Sequence, residues 1–114
     1  MRVPFQLISV FTKPDKNCLG NVSAVVELPS ALNTSVLQRI ANHFNQPATF
    51  LWKQDNQWHT RWFAPDAEIG LCGHGTAAAI AFLGSSSQPQ VLLYEEGQVS
   101  GKRLSDGEIS IQLN

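Results

Sequence analysis

The sequence predicts an α+β chain in which a curved, mostly antiparallel sheet wraps around a central apolar helix. Three observations lead there. Several segments are rich in β-branched and aromatic residues, and one stretch sets apolar residues at helical spacing. A second stretch, Thr76-Ala77-Ala78-Ala79-Ile80-Ala81-Phe82-Leu83, is apolar on every side. A helix without a polar face has to be enclosed, and alanine side chains let strands approach it closely. A sheet curled around the helix supplies that enclosure.

The elements follow in chain order. Residues 3–11 and 21–28 read as strands flanking a loop over residues 12–20. Ser30 or Asn33/Thr34 can cap a helix that carries Val36, Leu37, Ile40, Ala41 and Phe44 on one face, and Pro47 is expected to close it. Residues 49–54 and 58–63 form a hairpin around Asp55-Asn56, with Trp52 and Trp58 as strand aromatics. The chain turns through Pro65 and enters the alanine-rich helix. After a loop at residues 84–89, residues 90–95, 98–104 and 108–113 read as a three-strand meander with turns at Glu96-Gly97 and Asp106-Gly107. No repeat, charge block or linker divides the chain, so residues 1–114 are expected to form a single domain.

Composition narrows the function classes. Eight basic residues against nine acidic ones leave a formal charge of −1, and no basic cluster exceeds Lys102-Arg103, which argues against a nucleic-acid partner. No charged leader precedes an apolar run and no apolar run reaches membrane-spanning length, so a cytoplasmic protein with no membrane partner is expected. Cys18 and Cys72 are then expected as free thiols. His43 and His59 form no metal-ligand spacing with each other or with the cysteines, and neither metal nor cofactor is expected.

The chemistry concentrates at Cys72-Gly73-His74-Gly75-Thr76, where two glycines, a thiol and an imidazole meet the start of the apolar helix. The first N–H groups of a helix lack intrahelical acceptors and sit at the positive end of its dipole, so Gly73, Gly75 and Thr76 can offer donors to a small carboxylate. His74 can hydrogen-bond a carboxylate or carbonyl, or fill a structural role. Cys72 meets the same dipole, as a proton-transfer group or as a small buried residue. Asp66 and Glu68 lie close by in sequence, as bases, as solvated carboxylates or as partners for Arg61. Gly20-Asn21 can orient a ligand, or make the turn before a strand.

Read together with Gly20-Asn21-Val22-Ser23-Ala24-Val25-Val26 and Arg61-Trp62-Phe63-Ala64-Pro65, the Cys72-Gly73-His74-Gly75-Thr76 run resembles the phenazine-biosynthesis PhzF-like family, relatives of diaminopimelate epimerase. The resemblance spans nearly the whole chain but only the first half of a family member, whose two pseudo-symmetric halves enclose the active site. It implies half of an epimerase-like fold, isomerase chemistry, and His74 in the substrate pocket. Related amino-acid epimerases use the equivalent of Cys72 as a base paired with a cysteine from the other half. PhzF-like proteins carry CGH without relying on the thiol.

One family feature is missing. PhzF-like isomerases carry a glutamate in N-x-S-E-T-x-F that abstracts and returns a proton, whereas this chain reads Asn45-Gln46-Pro47-Ala48-Thr49-Phe50, with Pro47 or Ala48 at the carboxylate position. Whether the chain is an enzyme therefore stays open. It is either an isomerase or epimerase of small carboxylic acids, or a degenerate binding or interaction module that keeps the fold and the anion site. A lone half leaves its helix start and apolar surface uncovered, so a homodimer across a two-fold axis is expected. Met1 at the start suits an independent protein, and an end just after a strand suits a cut between halves.

Overall fold

A computed structural model describes residues 5–10, 21–70, 72–83, 89–103 and 109–113, with side chains described for 24–70, 72, 75–83, 89–102 and 110–111. The elements are β1 (Phe5–Val10), β2 (Asn21–Glu27), α1 (Thr34–Phe44), β3 (Ala48–Gln54), β4 (Gln57–Phe63), β5 (Glu68–Ile69), α2 (Gly73–Leu83), β6 (Gln90–Tyr94), β7 (Gly97–Arg103) and β8 (Ile109–Leu113). One sheet runs β1-β2-β3-β4-β6-β7-β8, and β5 adds to the end of β4. The sheet is mixed. The pairs β2–β3 and β4–β6 are parallel and the others antiparallel. Each parallel pair is joined by a stretch containing a helix, because the return across a sheet edge needs a crossover of that length.

The α1 helix forms where the sequence places it. Asn33 is the N-cap, its Oδ1 accepting the Val36 N–H at 3.0 Å, and Leu37 and Ala41 are buried. Its end differs from expectation. Asn45, in the left-handed region at φ 54°, closes the helix by donating its N–H to the carbonyls of Ala41 and Asn42, so α1 stops at Phe44, before Pro47 is reached. Asparagine tolerates that conformation and satisfies the last carbonyls. The β3–β4 hairpin turns on Asp55 and Asn56 at φ 55° and 64°, both positive as a type I′ turn requires. The turn between β6 and β7 falls at Glu95-Glu96, one residue earlier than expected, and the Asp106-Gly107 turn lies outside the described residues.

The two helices take opposite faces of the sheet, and strand alternation sorts the side chains between them. Val26, Phe50 and Phe63 pack with Leu37 and Ala41 of α1, the two phenylalanine rings meeting edge-on at 5.5 Å. Val25, Leu51, Trp62, Leu92 and Val99 pack with Ala78, Ala79 and Ile80 of α2. The α2 helix touches β1, β2 and β3 as well as β7 and β8, so strands from both ends of the sheet reach the same helix and the sheet is curled.

Two glycines permit this closeness. A Cβ on Gly101 of β7 would lie 3.0 Å from Ile80 Cγ1, and one on Gly75 would lie 2.6 Å from Thr49 Oγ1 and 2.8 Å from Trp62 Nε1. The first turn of α2 thus lies directly on β3 and β4.

Two outcomes follow for stability. Gly75→Ala is expected to cost about 1–3 kcal/mol through overpacking against Trp62 and Thr49, read as a lower urea midpoint at an unchanged slope. At the hairpin, Asn56→Gly should stay within about 0.5 kcal/mol of wild type or stabilise, while Asn56→Val should cost about 1–2 kcal/mol. Equal effects of the two Asn56 substitutions would contradict the turn assignment.

Candidate functional site

The start of α2 is set by the short segment before it. Strand β5 pairs with the end of β4, with Trp62 opposite Ile69 and Phe63 opposite Glu68. The turn between them is closed by the Ala64 N–H donating to the Ala67 carbonyl at 2.7 Å. From α1, Gln38 Nε2 donates to the carbonyls of Ala64 (3.0 Å) and Pro65 (3.1 Å), and Asn42 Nδ2 donates to Pro65 at 3.3 Å. The polar face of one helix therefore anchors the loop that delivers the chain to the other.

Cys72 acts as the cap of α2. Its carbonyl accepts both the Thr76 N–H at 2.9 Å and the Thr76 hydroxyl at 2.8 Å, and its Sγ accepts the Gly75 N–H at 3.3 Å. The thiol takes the place that a serine or aspartate oxygen fills in commoner caps. The consequence for anion binding is selective. Gly75 and Thr76 already have acceptors for their N–H groups, and Thr76 is fully buried. Gly73 and His74, the first two helical residues, hold N–H groups for which an α-helix offers no acceptor. The imidazole of His74 lies outside the described side chains, as do Gly20 and the side chain of Asn21 at the head of β2.

The carboxylates sit elsewhere. Asp66 is exposed in the turn after β4. Glu68 accepts from Arg61 Nε at 2.9 Å and from Nη2 at 2.7 Å, and the same Nη2 donates to Thr34 Oγ1 at 2.9 Å. The guanidinium also lies 5.2 Å from the centre of the Phe63 ring. Register explains the placement. Glu68 shares the α1 face with Phe63, whereas its neighbour Ile69 shares the α2 face with Trp62. The hydrogen bonding of its guanidinium to the Glu68 carboxylate raises the Arg61 pKa above its usual value, partial burial opposes this, and the charges of Glu68 and Glu95 add to it. A raised folded-state value stabilises the fold wherever arginine is charged, and that contribution is lost only in strong alkali. At 25% and 34% side-chain exposure the pair contributes about 0.2–1 kcal/mol after solvent screening.

The segment that would hold the family's glutamate is also placed. Ala48 is buried in the α1-side core, and Pro47 is exposed with its carbonyl accepting the Ala24 N–H at 2.9 Å. Thr49, one residue on, lies against Gly75 on the α2 face. Strand alternation thus sends position 48 away from the helix start, and position 47 shares the parity of Thr49. Neither offers a carboxylate.

The residues that press on the helix start, Thr49 and Trp62, and Tyr94 behind Trp62 are not among the candidates that the sequence offers. Counting back from Phe63 by twos separates Trp62 and Thr60 from Arg61 and His59, and that parity was the available signal. His59 is half-buried and stacks on Trp52 at 5.7 Å, while His43 is exposed at the end of α1. Among the described residues no group of three or more His, Cys, Asp or Glu is placed to hold a metal, Cys72 is a free thiol, and no helix is long and apolar enough to cross a membrane. A shallow cleft lined by Lys53, Trp58, Gln90 and Val91 lies at the hairpin-turn end of β4, whereas α2 begins against Trp62 near the opposite end.

The chain is similar in sequence and fold to known proteins. The model of the phenazine biosynthesis-like protein family matches residues 8–105. A Vibrio cholerae protein named as an uncharacterized isomerase is 40% identical over 80 residues, 69% of this chain and 29% of the relative. A mouse phenazine biosynthesis-like domain-containing protein is 30% identical over 94% of this chain and 41% of its own length. Among solved structures, an Enterococcus faecalis phenazine biosynthesis protein of the PhzF family superposes with a TM-score of 0.76 at 28% identity, covering 92% of this chain and 42% of that one. The chain thus spans less than half the length of these relatives. On the match over residues 8–105 and these likenesses, the chain belongs to the phenazine biosynthesis-like PhzC-PhzF family.

Proposed function

We propose that this chain is a PhzF-like isomerase-family protein that acts on or binds a small carboxylic acid at the start of α2. The supporting observation is the first turn itself. The N–H groups of Gly73 and His74 stand at the positive end of a helix whose next two N–H groups are already satisfied by Cys72. A carboxylate bound there would lie beside Cys72, and the proposal assigns His74, with Cys72, to the proton transfer at its adjacent carbon. In an isomerisation a base takes a proton from that carbon and returns it to the same carbon or to one conjugated with it, so that nothing is gained or lost overall. Asp66 is a further candidate base, whereas Glu68 would first have to release Arg61. Gly20 and Asn21 complete the substrate side of the proposal.

In this reading residues 1–114 form one domain, half of a diaminopimelate epimerase-like fold around α2, cytoplasmic and free of cofactor. A second copy covers the helix start, so that two such starts face one another across a two-fold axis. A second reading draws on the buried Ala48 and the proline at 47, which leave no carboxylate where the family uses one. There the chain is a catalytically degenerate module that binds the acid without converting it.

Deuterium incorporation from solvent into a panel of amino and hydroxy acids tests the chemistry, and the expected result is exchange that His74→Ala reduces roughly tenfold or more. No exchange together with retained binding selects the degenerate module. Pro47→Glu should then raise exchange on the order of tenfold or more, because it places a base at the parity facing α2. Solution mass tests the dimer, for which the account expects twice the 12.5 kDa of one chain, and a well-behaved monomer contradicts it.

A further inference from the structure

Tyr94 ends β6, half-buried, and its ring meets Trp62 edge-on with centroids 5.3 Å apart and planes at 63°. Trp62 is 2% exposed, and the Nε1 edge of its indole lies against Gly75. Gly75 in turn donates its N–H to Cys72 Sγ. Three successive contacts therefore connect β6, through Gly75 in the first turn of α2, to Cys72. Backbone pairing does not make the same connection. The β4–β6 ladder consists of Trp58 with Leu92 and His59 with Leu93, after which the end of β4 pairs with β5 instead. Beyond His59 the link across that seam is carried by side chains, and the Tyr94–Trp62 pair spans it. Among the described residues Trp62 Nε1 has no hydrogen-bond partner, so packing alone sets the tilt of the indole.

We propose that Tyr94 is a positioning residue for the helix start: it wedges the Trp62 indole against Gly75 and thereby holds the first-turn amides and the Cys72 thiol in place. Its functional meaning rests on the acid-site reading above, but the packing is testable without any ligand. The T-shaped contact needs a ring and not a hydroxyl, so phenylalanine should serve and alanine should not. Loss of the wedge frees the indole to tilt, loosens the Gly75 N–H on Cys72 Sγ, and exposes the thiol.

The experiment is the rate of Cys72 alkylation by iodoacetamide in the full chain, resolved from Cys18 by peptide mass spectrometry. Tyr94→Ala is expected to raise the rate roughly threefold or more, and Tyr94→Phe to stay within about a factor of two of wild type. Val99→Ala, a buried truncation in the same core, controls for general loosening and should leave the rate near wild type. If Tyr94→Ala folds poorly, Tyr94→Leu keeps apolar bulk without the ring and should show the same rise. A wild-type rate in the alanine or leucine variant, or an equal rise in Val99→Ala, overturns the wedge. Succinate binding measured on the same proteins separates the two ideas. A Cys72 response without succinate binding in wild type supports the wedge and removes only the acid site.

Discussion

Helix α2 has no face for water between Thr76 and Ile80, and most of the fold follows from that constraint. An element buried on all sides has to receive strands from several directions, and the curl of the sheet brings β1 to β3 and β7 to β8 onto it. Small residues make this sterically possible. Ala77, Ala78 and Ala79 keep the helix thin, while Gly101 and Gly75 remove the Cβ atoms that would collide with Ile80 and with Trp62. The position of the first turn is therefore dictated by close packing against β3 and β4, and the donors at that turn are held at a fixed place.

Division of labour between the two sheet faces follows from the same strands. Arg61 and Trp62 are neighbours in sequence and point to opposite sides. Arg61 joins Glu68 and Thr34 into a polar clamp on the α1 face, while Trp62 supports the helix start on the α2 face. Gln38 and Asn42 complete the link by holding the turn at Ala64 and Pro65. Arg61 and Glu68 thus contribute to architecture, and the helix start proposed as the site presents backbone amides and a thiol backed by packed rings.

Much of this is legible from residues alone. The apolar octet at residues 76–83, the cap at Asn33 and the Asp55-Asn56 turn each carry a local physical signal, and each forms where that signal lies. What escaped the sequence reading depends on partners distant in the chain. Strand β5 is two residues long and has no periodicity to detect; it exists because the end of β4 is free to pair with it. The side of the sheet taken by Glu68 and Ala48 follows from register, which a one-residue slip would reverse. The C-cap at Asn45 depends on a left-handed residue before the proline that breaks the pattern. Use of the Cys72 sulfur as a helix cap requires knowing that α2 begins at Gly73 and not at Thr76.

The central claim is that a small carboxylate is received by the first two amides of α2, the following two being occupied by Cys72. Titration of the 15N-labelled chain with succinate, followed through its backbone amide resonances, tests this most directly. The account predicts saturable shifts at Gly73 and His74 that clearly exceed those at Gly75 and Thr76. Saturation confined to other parts of the sheet, or no saturable shift at the helix start, would contradict it.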